Sequence, residues 1–457
     1  MSHSALKSPA RWVLWLVLVA GYLLMLRLNL PGHLSVDSVL ALHEGRFGVR
    51  TTWNPAIFGW LLGALDRITP GTALVVALSG GLLFGGWLLL SLSRPRTAWL
   101  APLVALGLIA LPQALIYPAI VWKDVLFADC AIAGFALLAF GVRKGGTPWI
   151  SLGLAALLFA AAGLFRQNGL ILAPPAAIAI AWALSARGWR RSLGLAAGWL
   201  IAVAALTLVL SAVARPQGAG APDNAGEKGL RLLATYDLAA AAHLQPGRPT
   251  PRIDAVAPDV GRYLRANADR LYAPERVDVL TADPQMGIGL KRVPRAVILA
   301  EWRDLLTSDP GLWLRSRALA FRQVAATPVI DRCLPITVGV EGPPMTLAAL
   351  KIPARRSAED MRLYNWTTWF LDTPAMSHVA YAVAAFAVMV LLLLRRDPPD
   401  LIVAGLMAGA LGFAASFFAI SIACDYRYLY VLDVAALTGL LYLALDPSLP
   451  ARRRARR

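Results

Sequence analysis

Four polar clusters interrupt an otherwise apolar chain, each at the end of a long hydrophobic run. The first holds Asp37, His43, Glu44, Arg46, Arg50 and the turn Trp53-Asn54-Pro55. The second is Trp122-Lys123-Asp124, the third Arg166-Gln167-Asn168, and the fourth Asp425-Tyr426-Arg427-Tyr428. Lys123, Arg166 and Arg427 are cations suited to an anion, and arginine suits phosphate because its planar fork donates two parallel hydrogen bonds. Asp37, Asp124 and Asp425 are acids suited to accept a proton or ligate a metal. A carboxylate beside a phosphate site is what group transfer from a phosphorylated donor needs. The acid takes the acceptor's proton and the cations stabilise the leaving phosphate. The competing reading is mutual neutralisation, Lys123 with Asp124 and Asp425 with Arg427, or snorkelling of each side chain to water. Charges at span ends are costly to desolvate unless they face water, a cavity or a partner. Four such clusters on one face favour a shared cavity.

The elements that must position these residues are read from hydropathy. Of 457 residues, 58% are apolar and 16% charged, against about 45–50% and 25% in soluble domains. The apolar residues lie in blocks near the ~20 residues that a helix needs to cross a bilayer. Ten spans are expected, at roughly 12–30, 71–92, 97–116, 123–141, 148–165, 169–186, 192–214, 376–394, 400–422 and 428–446. The fold class is therefore all-α and polytopic. Pro112, Pro118, Pro174 and Pro175 are candidate helix breakers, and polar residues within the spans look scarce.

Basic residues mark every second loop: Lys7 and Arg11, Arg94 and Arg96, Arg143 and Lys144, Arg187 with Arg190 and Arg191, Arg395 and Arg396, then five arginines among residues 452–457. The positive-inside rule places these in the cytoplasm, with both termini inside. The net charge of +17 is thus mainly a topology signal. It does not form the single basic face of a nucleic-acid binder, and no nucleic-acid partner is expected. The first apolar run lacks a convincing cleavage site and reads as an uncleaved helix. Of three cysteines, Cys130, Cys333 and Cys424, none forms a metal-type cluster; a Cys333–Cys424 pair on the outer face is one open possibility.

The opposite face receives a first loop (31–70) with juxtamembrane helices and a region of about 160 residues, 215–375. The expected division is 1–214 as an N-terminal transmembrane module, 215–375 as an outer helical region, and 376–457 as C-terminal spans with a basic tail. Within the outer region, 216–228 reads as a Gly/Pro/Ala loop. Arg262–Tyr272 and 293–326 read as amphipathic helices.

At the polar clusters the chain resembles the glycosyltransferase C superfamily, multi-pass enzymes that use sugars carried on polyprenyl phosphate. The resemblance rests on Ser35-Val36-Asp37-Ser38-Val39, on Trp53-Asn54-Pro55, and on Trp122-Lys123-Asp124 opening a span. It extends to Arg166-Gln167-Asn168-Gly169, Glu301-Trp302 with Asp309-Pro310 and Trp313-Leu314-Arg315, and Tyr426-Arg427-Tyr428. It implies Asp37 as general base and Lys123, Arg166 and Arg427 as donor-phosphate contacts. It also implies a pocket drawn from His43, Trp53, Asn54, Trp122, Asp124, Gln167, Asn168, Asp425 and Tyr426. Asn54 and Gln167 stand where relatives carry histidine, and Asp37 stands alone where some carry two acids. A divalent metal is therefore possible but not implied, and no cofactor is certain. The implied partners are a polyprenyl-phosphate sugar, the bilayer, and a glycan, lipid or protein acceptor. Composition, rich in Ala, Leu and Arg, points to a bacterial inner membrane with the site facing the periplasm. A transporter or flippase and a non-catalytic scaffold are the competing functions.

A reporter that works only in the cytoplasm, fused after Arg396, is expected to be active. One fused within 300–330 is expected to be silent; the reverse pattern would invert the topology.

Overall fold

The computed structural model describes residues 8–52, 54–143, 148–215 and 225–448. Lys7, Trp53, Lys144, most of the 216–228 stretch and the C-terminal arginines lie outside the described residues. Among the described residues the chain is all-α, with isolated β-bridges and no strand.

Among the described residues seven helices are long and apolar enough to cross a membrane: Pro9–Asn29, Ala73–Ser91, Lys123–Val142, Trp189–Val213, His378–Arg395, Pro398–Ile420 and Tyr426–Leu445. An eighth would be the pair Leu100–Ile109 and Pro112–Ala119, bent by 79°. The bend has a local cause. Leu111 is extended (φ −82°, ψ 146°) because the residue before a proline is driven out of the helical region. Pro174 and Pro175 act differently, opening the helix Ala173–Ala183 in its first turn, where a missing N–H costs nothing. The other two expected spans are shorter apolar helices, Trp149–Phe165 and Gly169–Ala183.

We label the helices of the N-terminal half in order: α1 Pro9–Asn29, α2 Val36–Phe47, α3 Ala56–Ile68, α4 Ala73–Ser91, α5 Leu100–Ile109, α6 Pro112–Leu115, α7 Lys123–Val142, α8 Pro148–Phe165, α9 Ala173–Ala183 and α10 Trp189–Val213. The chain divides into two compact units. The first comprises Met1–Ala221, Ile336–Phe413 and Leu429–Arg457; the second comprises Pro222–Pro335 and Ala414–Tyr428.

In the first unit α7 is the central helix, buried along almost its whole length against α4, α8 and Tyr430–Leu445. Contrary to the expectation of apolar spans, several buried polar groups sit within it. Ser79 hydrogen-bonds Asp129 (2.5 Å), Trp87 Nε1 donates to Thr438 (2.8 Å), and His378 Nδ1 lies 2.8 Å from Asp433. Interhelical hydrogen bonds of this kind add to van der Waals packing where hydrophobic drive between helices is absent. At one end of the unit Arg11 donates to the Arg94 carbonyl (2.7 Å) and Arg94 pairs with Asp397 (3.0 Å) and Asp400. Arg395 lies 3.4 Å from Asp400. Basic residues from three expected cytoplasmic segments thus meet at the same end.

The second unit is helical around its own apolar core, in which Ala239, Leu264, Leu280, Ile298 and Leu305 are fully or almost fully buried. The expected 216–228 loop is corrected at its end: a helix runs Ala225–Leu244. The long amphipathic stretch is two helices, Arg295–Ser308 and Pro310–Ala326. Pro310 cannot continue a helix, and Asp309 caps the second by accepting from Leu312 N (3.1 Å). Arg262–Tyr272 likewise resolves into Pro258–Ala266 and Ala268–Leu271. The 421–424 segment is bound into this unit by a Cys333–Cys424 disulfide and by Cys424 N donating to Glu275 O (3.0 Å); Cys130 is free and buried in α7.

The unit's most demanding feature is a fully buried ion pair, Asp237 with Arg317. Asp237 Oδ2 also accepts from Trp302 (2.8 Å) and Trp313 (3.0 Å), and Arg317 donates to the Ser421 carbonyl (2.8 Å). Burial raises the Asp237 carboxyl against the opposing pull of Arg317. Removing one partner of such a pair costs about 3–5 kcal/mol, because the other charge stays buried and alone. Arg317→Met is expected to lose that much stability in thermal unfolding, and the Asp237→Asn/Arg317→Met double variant to regain part of it. Additive losses in the double variant would deny the coupling.

Candidate functional site

The sequence between α1 and α3 builds a hairpin of two short helices. α2 starts at Ser35, whose N–H donates to Ser38 Oγ (3.3 Å), and ends at Gly48 in the left-handed region (φ 67°). Asp37 lies in its first turn, where the helix dipole favours an anion. α2 and α3 cross at glycines. A Cβ on Gly45 would sit 1.9 Å from Gly59 O, and one on Gly63 2.1 Å from Gly45 O. The intervening turn is held by Glu44, which accepts from Thr51 N (2.6 Å) and Thr52 N (2.5 Å). Asn54 docks it on the start of α2 by donating to Asp37 O (3.2 Å). Arg46 forms a bidentate pair with Asp66 (2.5 and 2.7 Å). Glu44 and Arg46 thus hold the hairpin together.

His33 ties this hairpin to the rest of the first unit. Its N–H donates to Ala119 O (2.9 Å) and its carbonyl accepts from Val121 N (3.0 Å). Leu34 N donates to Gly339 O and Glu341 N donates to Leu34 O (both 2.9 Å), while Val340 and Arg355 exchange bonds of 2.8 and 3.1 Å. The ring is as constrained as the backbone. Nδ1 accepts from Gly339 N (3.0 Å), so its proton is on Nε2, which donates to Asn29 Oδ1 (2.9 Å). Asn29 Nδ2 is already donating to Met25 O and Leu115 O. Burial, opposed by Asp360 and aided by Arg355, lowers the His33 pKa to about 4. Although Asp360 lies 3.6 Å from Nδ1, a nitrogen that accepts a hydrogen bond carries no proton, so the two do not form an ion pair at neutral pH.

This stitching brings the opening of α7 beside the opening of α2. Trp122 Nε1 donates to Ser35 Oγ (2.9 Å), so Asp37 and Lys123 follow two residues joined by a hydrogen bond. Lys123 is half-buried at the first position of α7, and Asp124 is buried one residue on. Asp124 forms its ion pair with Arg166, at the end of α8, whose guanidinium also lies 5.7 Å from the centre of the Phe413 ring. The second and third clusters are therefore one site. Asn168, half-buried, precedes the 3₁₀ turn Gly169–Leu172, while Gln167 is exposed. His43 stands further along α2, packed on Phe47 at 4.7 Å.

The fourth cluster belongs to the second unit. Asp425 pairs with Arg427 at 2.9 Å, the neutralisation considered from sequence, and Tyr426 is buried. Sequence reasoning passed over His33, Asp129, His378 and Asp433. The last three carry a readable signal, an ionisable residue within an apolar run. His33 carries none, because apart from Asn29 its hydrogen-bond partners are 86 to 306 residues away. Among the described residues no three His, Cys, Asp or Glu side chains converge to hold a metal ion. Asp124 is engaged by Arg166, so the donor set at the α2/α7 mouth does not fit a metal cradle.

No family model and no curated protein matches the chain. Among solved structures it is similar to the oligosaccharyltransferase of the archaeon Archaeoglobus fulgidus. The zinc- and sulfate-bound form aligns at 15% identity and a TM-score of 0.40 over 93% of this chain and 48% of that one. The form with an inhibitory peptide and a dolichol-phosphate aligns at 17% and 0.40, over 94% and 50%. The chain spans about half the length of these proteins. A likeness this loose leaves the chemistry to be argued from the chain's own residues.

The His33 ring gives a pH prediction. Its folded pKa lies below the unfolded value, so the unfolded state binds more protons between pH 6.5 and about 4. Stability from this site is complete above pH 6.5 and falls as pH drops through that window. Between pH 6.5 and 5 the loss is on the order of 2 kcal/mol. Thermal unfolding in detergent is expected to show a shallower pH dependence in His33→Gln than in wild type over that interval. Parallel curves would mean that the ring is not held neutral.

Proposed function

We propose that the chain is a membrane glycosyltransferase of the glycosyltransferase C kind. It transfers a sugar from a polyprenyl-phosphate donor to an acceptor on the non-cytoplasmic face. The observation that carries this reading is the hydrogen-bonded junction of Ser35 with Trp122, which sets the acidic start of α2 beside the cationic start of α7. In the reaction, Asp37 takes the proton of the acceptor group as that group attacks the sugar's anomeric carbon. The bond from that carbon to the phosphate oxygen breaks, and the negative charge passes to the lipid phosphate. Lys123 and Arg166 stabilise it, aided by the N-terminus of α7, whose unpaired N–H groups and dipole favour an anion. Asp124 orients Arg166 through their ion pair. The bilayer supplies the donor, and a glycan, lipid or protein of the cell envelope is the acceptor.

The Cys333–Cys424 disulfide fits an oxidising compartment, which accords with arginine-rich loops on the cytoplasmic side. In a bacterium this is the inner membrane with the site facing the periplasm. The buried Asp129, His378 and Asp433 favour a second reading, a proton-coupled transporter, since intramembrane ionisable groups often mark ion pathways.

The test is sugar transfer by purified protein, using a panel of polyprenyl-phosphate sugars and a membrane extract as acceptor. Wild type is expected to transfer, and Asp37→Asn to lose about 10²–10⁴-fold in turnover, while Asp129→Asn retains transfer. Full activity of Asp37→Asn would move the base elsewhere. Absence of transfer, with proteoliposome uptake abolished by Asp129→Asn, would replace the enzyme by the transporter.

A further inference from the structure

A second cationic site lies apart from the α2/α7 mouth. A cavity of about 200 Å³ opens between the end of α2, the length of α3 and the last turn of α10; its lining includes Glu44, Arg50, Trp60, Arg67, Val213 and Arg215. Neither Asp37, Lys123, Asp124 nor Arg166 reaches it. Its charge is unbalanced. The Glu44 carboxylate is committed to the backbone of Thr51 and Thr52, and Arg50 donates to Asn54 O (2.5 Å). Among the described residues, Arg67 and Arg215 make no ion pair. Arg67 and Arg215, against a Glu44 carboxylate that is already engaged, leave the cavity with a surplus of positive charge.

The surroundings are those of a membrane surface. α10 is a spanning helix with little of its surface buried, and Ile201 (69% exposed), Leu208 (70%) and Val209 (57%) lead along it to Val213 (53%). α3 is amphipathic, with Trp60 and Ile68 exposed, and tryptophan favours the headgroup level. An apolar track thus ends in an arginine-lined cavity at the end of a helix long and apolar enough to span a membrane.

We infer that this cavity binds the phosphate headgroup of a membrane lipid, with the acyl chains along α10 and the phosphate on Arg67 and Arg215. The inference does not rest on the glycosyltransferase reading. Arginine matches phosphate through two parallel hydrogen bonds, and basic pockets at helix ends are sites for anionic headgroups.

The experiment is lipid titration of the purified full chain in detergent, read by native mass spectrometry, with phosphatidylglycerol, phosphatidylcholine and inorganic phosphate as probes. Phosphatidylglycerol is expected to bind wild type more tightly than phosphatidylcholine. The exposed pair Arg67→Gln/Arg215→Gln is expected to weaken it on the order of 30-fold. The control pair Arg187→Gln/Arg190→Gln, at the opposite end of the spans, is expected to leave binding unchanged and guards against a general charge effect. Equal binding by wild type and Arg67→Gln/Arg215→Gln would overturn the site. Inorganic phosphate displacing the lipid at low millimolar concentration would make it a free-anion site. Equal binding of phosphatidylcholine would make it an apolar crevice indifferent to headgroup charge.

Discussion

A neutral imidazole, enclosed between a backbone N–H and a side-chain carbonyl, is the constraint on which the first unit's polar end depends. His33 follows the end of α1 and bonds through its backbone to 119–121 and through its ring to Gly339 and Asn29. In a membrane protein, non-helical backbone is tolerated only where its peptide groups find partners in protein or water. Short bridges among residues 33–34, 120, 340 and 355 supply those partners. They also determine where the next helices begin. α2 starts two residues beyond Leu34, and α7 two residues beyond Val121, so both N-termini are delivered to one place.

The same economy governs the charges. Several buried ions occur as pairs or small networks: Asp124 with Arg166, Arg94 with Asp397 and Asp400, Asp237 with Arg317. A buried pair contributes little net stability over an apolar substitute, yet breaking it is expensive. These pairs therefore specify geometry more than they strengthen the fold. At the α2/α7 mouth the pairing has a chemical consequence. Asp124 is engaged by Arg166, and Lys123 stands at the N-terminus of α7, where helix dipole and ammonium charge add. At the Arg67 and Arg215 cavity the opposite holds, and positive charge is left in surplus beside apolar helix surface.

The spans were legible in the sequence because a bilayer accepts only structures that satisfy their own backbone. Long apolar blocks therefore imply helices without any knowledge of partners. Pro112, a candidate breaker in the sequence, does bend its span, whereas the break at Pro310 within 293–326 was not read from the sequence. The polar clusters could be identified as candidates because a charge at a span end needs an explanation by itself. What the sequence could not decide was which charges meet. Neutralisation of Asp124 by the adjacent Lys123 was one alternative, and Asp124 takes Arg166, 42 residues away. Asp425 and Arg427, two residues apart, did pair locally. His33 gave no signal at all, since its role lies in bonds to residues near 120 and 340. Hydropathy and backbone stiffness act over a few residues and can be read along the chain. Ion pairing, glycine crossings and cavity walls depend on distances in space between remote segments, and only the folded chain sets those.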